Sequence, residues 1–107
     1  MYSIQGTAIN LTRGDTFSPL ITITFEDGEP YTPVEGDVIT FSMKKSYFDA
    51  NPLIEKTIPN DTRILELEPS DTAILPIGHY VYDIDIVFAD GTKDTFISGS
   101  LNLTPEV

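Results

Sequence analysis

The stretch Gly78-His79-Tyr80-Val81-Tyr82-Asp83-Ile84-Asp85-Ile86-Val87-Phe88 decides the fold class. Tyr80, Tyr82, Ile84, Ile86 and Phe88 fall on one side of an extended chain, and Val81, Asp83, Asp85 and Val87 on the other. That repeat of two is the period of a β-strand, whose successive side chains point to opposite faces. Asp90-Gly91 follows. It predicts a type I′ hairpin, because both central residues of that turn need positive φ. Thr92 to Leu103 returns as the partner strand, with Phe96 on one face and Ile97, Leu101 and Leu103 on the other. The switch of face predicts a bulge near Ser98-Gly99.

Upstream of the strand, Ser70 to Leu75 breaks the pattern. Ser70 is placed to cap one helical turn through Thr72-Ala73-Ile74-Leu75, and Pro76 stops it. A short turn, a glycine and then a tyrosine at the head of a long strand is the layout of a tyrosine corner. In such corners the hydroxyl bonds back to the crossover backbone and fixes the link between two sheets. Tyr80 is the residue predicted to fill that role.

Working outward, the chain predicts a strand at Thr7 to Leu11, a turn at Arg13-Gly14-Asp15 and a strand at Phe17 to Phe25. In the latter Ile21, Ile23 and Phe25 alternate with Thr22 and Thr24, and Pro19 marks an edge or bulge. Glu26 to Gly36 is a loop, Asp37 to Lys45 a strand and Ser46 to Pro52 a second loop. Leu53 to Ile58 and Arg63 to Glu68 read as a hairpin across Pro59-Asn60-Asp61-Thr62, with Glu66 and Glu68 on a wet face. About seven short strands punctuated by turns predict an all-β, immunoglobulin-like antiparallel β-sandwich. It fills residues 1–107 as one domain, since 107 residues is too short for two ordinary ones. A chain of this size buries about 65% of its surface, enough for one core.

There are no cysteines, which fits folding in a reducing compartment. The N-terminus lacks the basic start and apolar run of a signal peptide. No stretch approaches the ~20 apolar residues of a membrane span. With 17 acidic and 6 basic residues the net charge is −11. Nucleic acid and anionic membranes are therefore poor partners, because no basic stripe is available to displace counterions.

Motifs that carry chemistry elsewhere have structural readings here. Arg13-Gly14-Asp15 spells an integrin-binding tripeptide, but its glycine and aspartate suit a turn between strands. Asp83 and Asp85 share a strand face, where Lys44 and Lys45 are expected to pair with them across strands. His79 is the only histidine, and alone it builds neither a catalytic triad nor a zinc site. Ser98-Gly99-Ser100 lies within a strand pattern with no helix after it, so it is not a nucleophile elbow. The sequence thus predicts no enzyme activity, no cofactor and no metal.

The frame Ile9-x-Leu11-x-Arg13-Gly14-Asp15-Thr16, Gly36-Asp37-x-Ile39-x-Phe41-Ser42-x-Lys44, Asp71-Thr72, Gly78-x-Tyr80-x-Tyr82-Asp83-Ile84 and Asp90-Gly91-x-x-x-Thr95 covers nearly the whole chain. It resembles the small immunoglobulin-like domains of phages and prophages of Gram-positive bacteria, in particular the N-terminal domain of baseplate upper proteins. The resemblance implies a non-catalytic tail or baseplate component, made in the bacterial cytoplasm and carried in the virion. It implies binding to other virion proteins, with homo-oligomers as one form of that assembly. Baseplate proteins of this kind continue into further domains. The alternative is a carbohydrate- or ligand-binding module that uses the loop aromatics Tyr31, Tyr47 and Phe48.

Overall fold

The computed structural model describes residues 2–5, 7–24 and 28–105, the first four by their backbone alone. The described residues are all-β apart from one short helix. In order it forms β1 (Tyr2–Gln5), β2 (Ala8–Thr12), β3 (Ile23–Thr24), β4 (Pro30–Tyr31), β5 (Val38–Lys44), β6 (Ile54–Ile58), α1 (Pro69–Ala73), β7 (Gly78–Val87) and β8 (Lys93–Thr104). Six strands make one sheet in the order β1-β2-β8-β7-β5-β6, and β3 pairs with β4 apart from it. The pairing is antiparallel except between β2 and β8, which run parallel from Ala8↔Ser100 to Thr12↔Thr104. The purely antiparallel expectation is corrected there. A parallel contact needs no hairpin, and these two strands come from opposite ends of the sequence.

β7 behaves as its alternation requires. Tyr80, Tyr82, Ile84 and Ile86 are buried, and β5 and β8 flank it on either side. The same alternation buries Ile39, Phe41 and Met43 on β5, and Leu101 and Leu103 on β8. The expected strand from Phe17 to Phe25 is mostly irregular: Phe17 bridges to Leu67, Leu20 bridges to Ile64, and only Ile23–Thr24 is regular. Pro19 lacks an N–H, which prevents a continuous ladder there. Phe25 and the first two residues of the predicted loop, Glu26 and Asp27, lie outside the described residues.

The hairpin predicted over Leu53 to Glu68 is overturned. β6 pairs with β5, whereas residues 63–67 leave it to meet residues 17–21. Arg63 takes a left-handed conformation with φ 55° and its N–H bonds to the Pro59 carbonyl at 2.8 Å. That turn carries the chain across the core, so Leu65 and Leu67 join the same buried cluster as Ile54 and Ile58 from a separate element. The expected alternation within this arm holds, with Leu65 and Leu67 buried and Glu66 and Glu68 exposed.

Three local features also differ from expectation. The helix starts two residues earlier than Ser70 would place it. Glu68 is its N-cap, and the Asp71 carboxylate accepts from the Glu68 N–H at 2.7 Å. Pro69 at the first helical position favours this start, since proline loses nothing there. The Asp90-Gly91 turn is a three-residue loop rather than type I′. Phe88 N–H reaches the Thr92 carbonyl at 2.7 Å, and only Gly91, at φ 91°, is left-handed. The register shift in β8 falls at Phe96, between the pairs Ile84↔Ile97 and Asp85↔Thr95, rather than at Ser98-Gly99.

Gly99 has another reason to be glycine. A Cβ there would lie 2.1 Å from the Thr7 carbonyl oxygen and 2.8 Å from the Thr7 Cβ. The turn between β1 and β2 therefore packs directly on the β8 backbone. Gly99→Ala is expected to lower stability by about 1–3 kcal/mol through overpacking, read as an earlier urea midpoint. Ser100→Ala, an exposed neighbour, should stay within about 0.5 kcal/mol of the parent.

Candidate functional site

The loop after β5 presents the most accessible apolar side chain described. Phe48 is 98% exposed and Tyr47 52%. The turn beneath them is tied down: Asp49 N–H bonds to the Ser46 carbonyl at 3.1 Å, and Ser46 N–H to the Asp49 carboxylate at 3.2 Å. Lys44 Nζ donates to the Asp49 carbonyl at 2.9 Å, and the Tyr47 hydroxyl donates to the Gly99 carbonyl at 3.2 Å. Phe48 is thus held outward on a braced turn, with Leu53 half exposed nearby in sequence.

Tyr31 is placed elsewhere. It sits before β5, whereas Tyr47 and Phe48 follow it, and seven residues of strand span about 23 Å. The three aromatics do not form one surface. The Tyr31 ring meets Phe88 edge-on, with centroids 5.5 Å apart, and its hydroxyl donates to the Asp37 carboxylate. Asp37 is only 6% exposed and also accepts from the Val34 N–H and the Ala89 N–H, each at 3.0 Å. Asn60 adds a bond to the Asp37 carbonyl at 2.8 Å. Asp37 therefore joins three segments: its carboxylate ties the loop before β5 to the β7–β8 turn, and its carbonyl holds the chain after β6. The sequence offered a weak sign of it in Gly36-Asp37, an aspartate at a turn before a strand. Its distant partners have no local signature.

The remaining candidates take structural positions. The Tyr80 hydroxyl donates to the Pro76 carbonyl at 2.6 Å, across the link from α1 to β7. Tyr82 donates to the Thr7 carbonyl at 2.8 Å. Arg13-Gly14-Asp15 is docked on the helix segment: Gly14 N–H bonds to the Thr72 hydroxyl at 2.9 Å and Arg13 to the Leu75 carbonyl at 3.3 Å. Asp83 and Asp85 accept from Ser98 and Thr95 hydroxyls, each at 2.6 Å, and Lys93 lies 3.5 Å from Asp85. The expected pairing with Lys44 and Lys45 is corrected, because Ser42 is opposite Asp83 and Lys44 is opposite Val81. Lys45 instead donates to the His79 carbonyl at 3.1 Å and lies 4.7 Å from the Tyr80 ring centre. His79 itself is exposed.

Among the described residues no group of three or more His, Asp or Glu side chains is placed to hold a metal ion. No described helix is long and apolar enough to cross a membrane. No protein-family model matches the chain, and no curated protein matches it.

The Tyr31 hydrogen bond, followed by that of Val34, holds the Asp37 carboxyl below its ordinary value of 3.8. The same bond raises Tyr31 above 10.0. As pH falls, the unfolded chain binds a proton at Asp37 before the folded one does. The stability this gives is full above 3.8 and is lost as pH drops through the lower folded value. For Tyr31 the order reverses: its contribution is present below 10.0 and is lost as pH rises through the raised folded value. Asp37→Asn should melt earlier than the parent at neutral pH, with the gap closing at pH below 3.8. Thermal melts across pH check this, and a gap that stays constant would remove the ionic role. Tyr80→Phe, which leaves the Pro76 carbonyl without its donor, is expected to cost about 1–2 kcal/mol in chemical denaturation.

Proposed function

We propose that this chain is an immunoglobulin-like β-sandwich domain that serves as a non-catalytic structural protein of a phage or prophage tail or baseplate. It is made in the bacterial cytoplasm and acts in the virion by protein–protein assembly, with other tail proteins and copies of itself as partners. The order β8-β7-β5-β6 supports the fold reading, because it resembles the G-F-C-C′ sheet of variable-type domains. Residues 17–21 against 63–67 then stand for strands B and E of the facing sheet. On that assignment β7 is strand F, and the Tyr80 bond to Pro76 is its tyrosine corner.

The observation that carries the assembly reading is Phe48. A large apolar ring, 98% exposed on a hydrogen-bonded turn, loses little conformational freedom when a partner covers it. Such preordered aromatic anchors are the residues that dominate protein interfaces. The sequence frame, which resembles that of baseplate domains, supports the setting.

Antibody labelling of purified virions from a host carrying the gene tests the reading by electron microscopy. Label at the tail tip is expected. Its absence from both intact and disrupted particles, with the protein present in the lysate, would sink the proposal.

A further inference from the structure

β6 ends the large sheet and is bonded on one side only, to β5. Near it runs the extended segment 63–68. This segment uses its odd residues to bond residues 17–21: Leu67 N–H to the Phe17 carbonyl at 2.8 Å, Leu65 N–H to Pro19 at 3.1 Å and Ile21 N–H to Arg63 at 2.8 Å. Adjacent residues of an extended strand send their backbone groups to opposite sides. The N–H and carbonyl of Glu66 therefore turn away from residues 17–21, and among the described residues no backbone group meets them. Between the two open edges lies a cleft of about 410 Å³, bounded by Lys56 and Thr57 on β6 and by Thr62, Ile64, Glu66 and Glu68 opposite.

The charge of this cleft has a sign. Lys56 is matched by Asp71, at 3.1 Å. Glu66 and Glu68 are exposed and have no ion-pair partner among the described residues. Natural sheet edges are often guarded by lysine, which discourages added strands. Here the uncompensated charges are acidic. Pro52 and Pro59 flank the strand and limit the usable edge to the five residues of β6, about 17 Å.

We propose that this cleft takes an extended, lysine- or arginine-rich segment of a partner protein, which adds a strand to β6 while its basic side chains meet Glu66 and Glu68. Backbone bonds supply affinity in such strand addition, and the alternate side chains supply selectivity. A second copy of the chain is a poor occupant, because each copy carries a net charge of −11. The proposal rests on the assembly reading above and names the kind of partner.

The test is an NMR titration of the isotope-labelled protein with a synthetic nonapeptide that alternates lysine with valine and threonine. A counterpart with glutamate for lysine serves as the comparison. Saturable amide shifts concentrated on residues 54–58 and 64–68 are expected with the lysine peptide only. Glu66→Lys with Glu68→Lys should weaken binding about tenfold, as should ~1 M salt, where the Debye length is about 3 Å. An unchanged melting curve verifies that the double variant folds. No shifts, shifts centred on another edge, or equal binding of the glutamate peptide would overturn the proposal. A tail protein whose capture is indifferent to the double variant would also overturn it, while the assembly reading stands. Charge-dependent peptide binding by a protein that virions lack would support the cleft and sink the tail assignment.

Discussion

The structure depends on the strict two-residue alternation of β7. From Tyr80 to Ile86 every second side chain is buried, and the strand is paired on both edges, with β5 and with β8. A slip of one residue would send Asp83 and Asp85 into the core and Tyr82 and Ile84 into water. Burying an unpaired carboxylate costs several kcal/mol, so the register has essentially one solution. Once it is fixed, the depth of β5 and β8 follows, because their buried residues must meet the same side. The two tyrosine hydroxyls at the start of the strand then reach backbone carbonyls at Pro76 and Thr7, which anchors β7 to the chain before it and to the turn after β1.

This logic explains which parts of the fold were legible in the sequence. Strands whose period is set by burial on one side, namely β2, β5, β7 and β8, stand within a residue or two of where their alternation places them. Features that depend on partners far along the chain were less visible. Residues 53–58 and 63–68 look like two arms of a hairpin because each alternates and a turn separates them. Only the left-handed Arg63 and the availability of residues 17–21 send the second arm elsewhere. The Asp90-Gly91 pair specifies a turn but not its length, since one left-handed glycine also suits a three-residue loop. Gly99 signalled a special position. Its cause is the close approach of Thr7, more than ninety residues away, rather than a bulge in its own strand.

The acidic residues divide into two populations, and the division bears on function. Asp37, Asp71, Asp83, Asp85 and Asp90 are occupied within the fold. Asp37 collects donors from three segments, Asp71 accepts from the N-cap of the helix, and Asp83 and Asp85 take hydroxyls across the β7–β8 pair. The Thr92 N–H holds the Asp90 carboxyl below its ordinary range in the turn between those strands. All five are aspartates, whose short side chains reach nearby donors at little entropic cost. Glu55, Glu66 and Glu68 are exposed and have no ion-pair partner among the described residues. Net charge alone therefore exaggerates the part of the acidity that a partner can feel, and its distribution is more informative.

The exposed aromatic anchor and the acidic cleft lie on either side of β6 in sequence, and they make different demands on a partner. Phe48 needs an apolar pocket, and its contribution scales with the area that is dried. On the proposed reading the cleft takes an extended backbone with positive charge, and its contribution is screened by salt. A partner able to satisfy both must present a folded apolar surface and an extended basic segment. A small soluble ligand offers neither in combination. On the proposed reading, the two features together describe recognition of another protein, while Tyr31, engaged with Asp37 and Phe88, is not part of either.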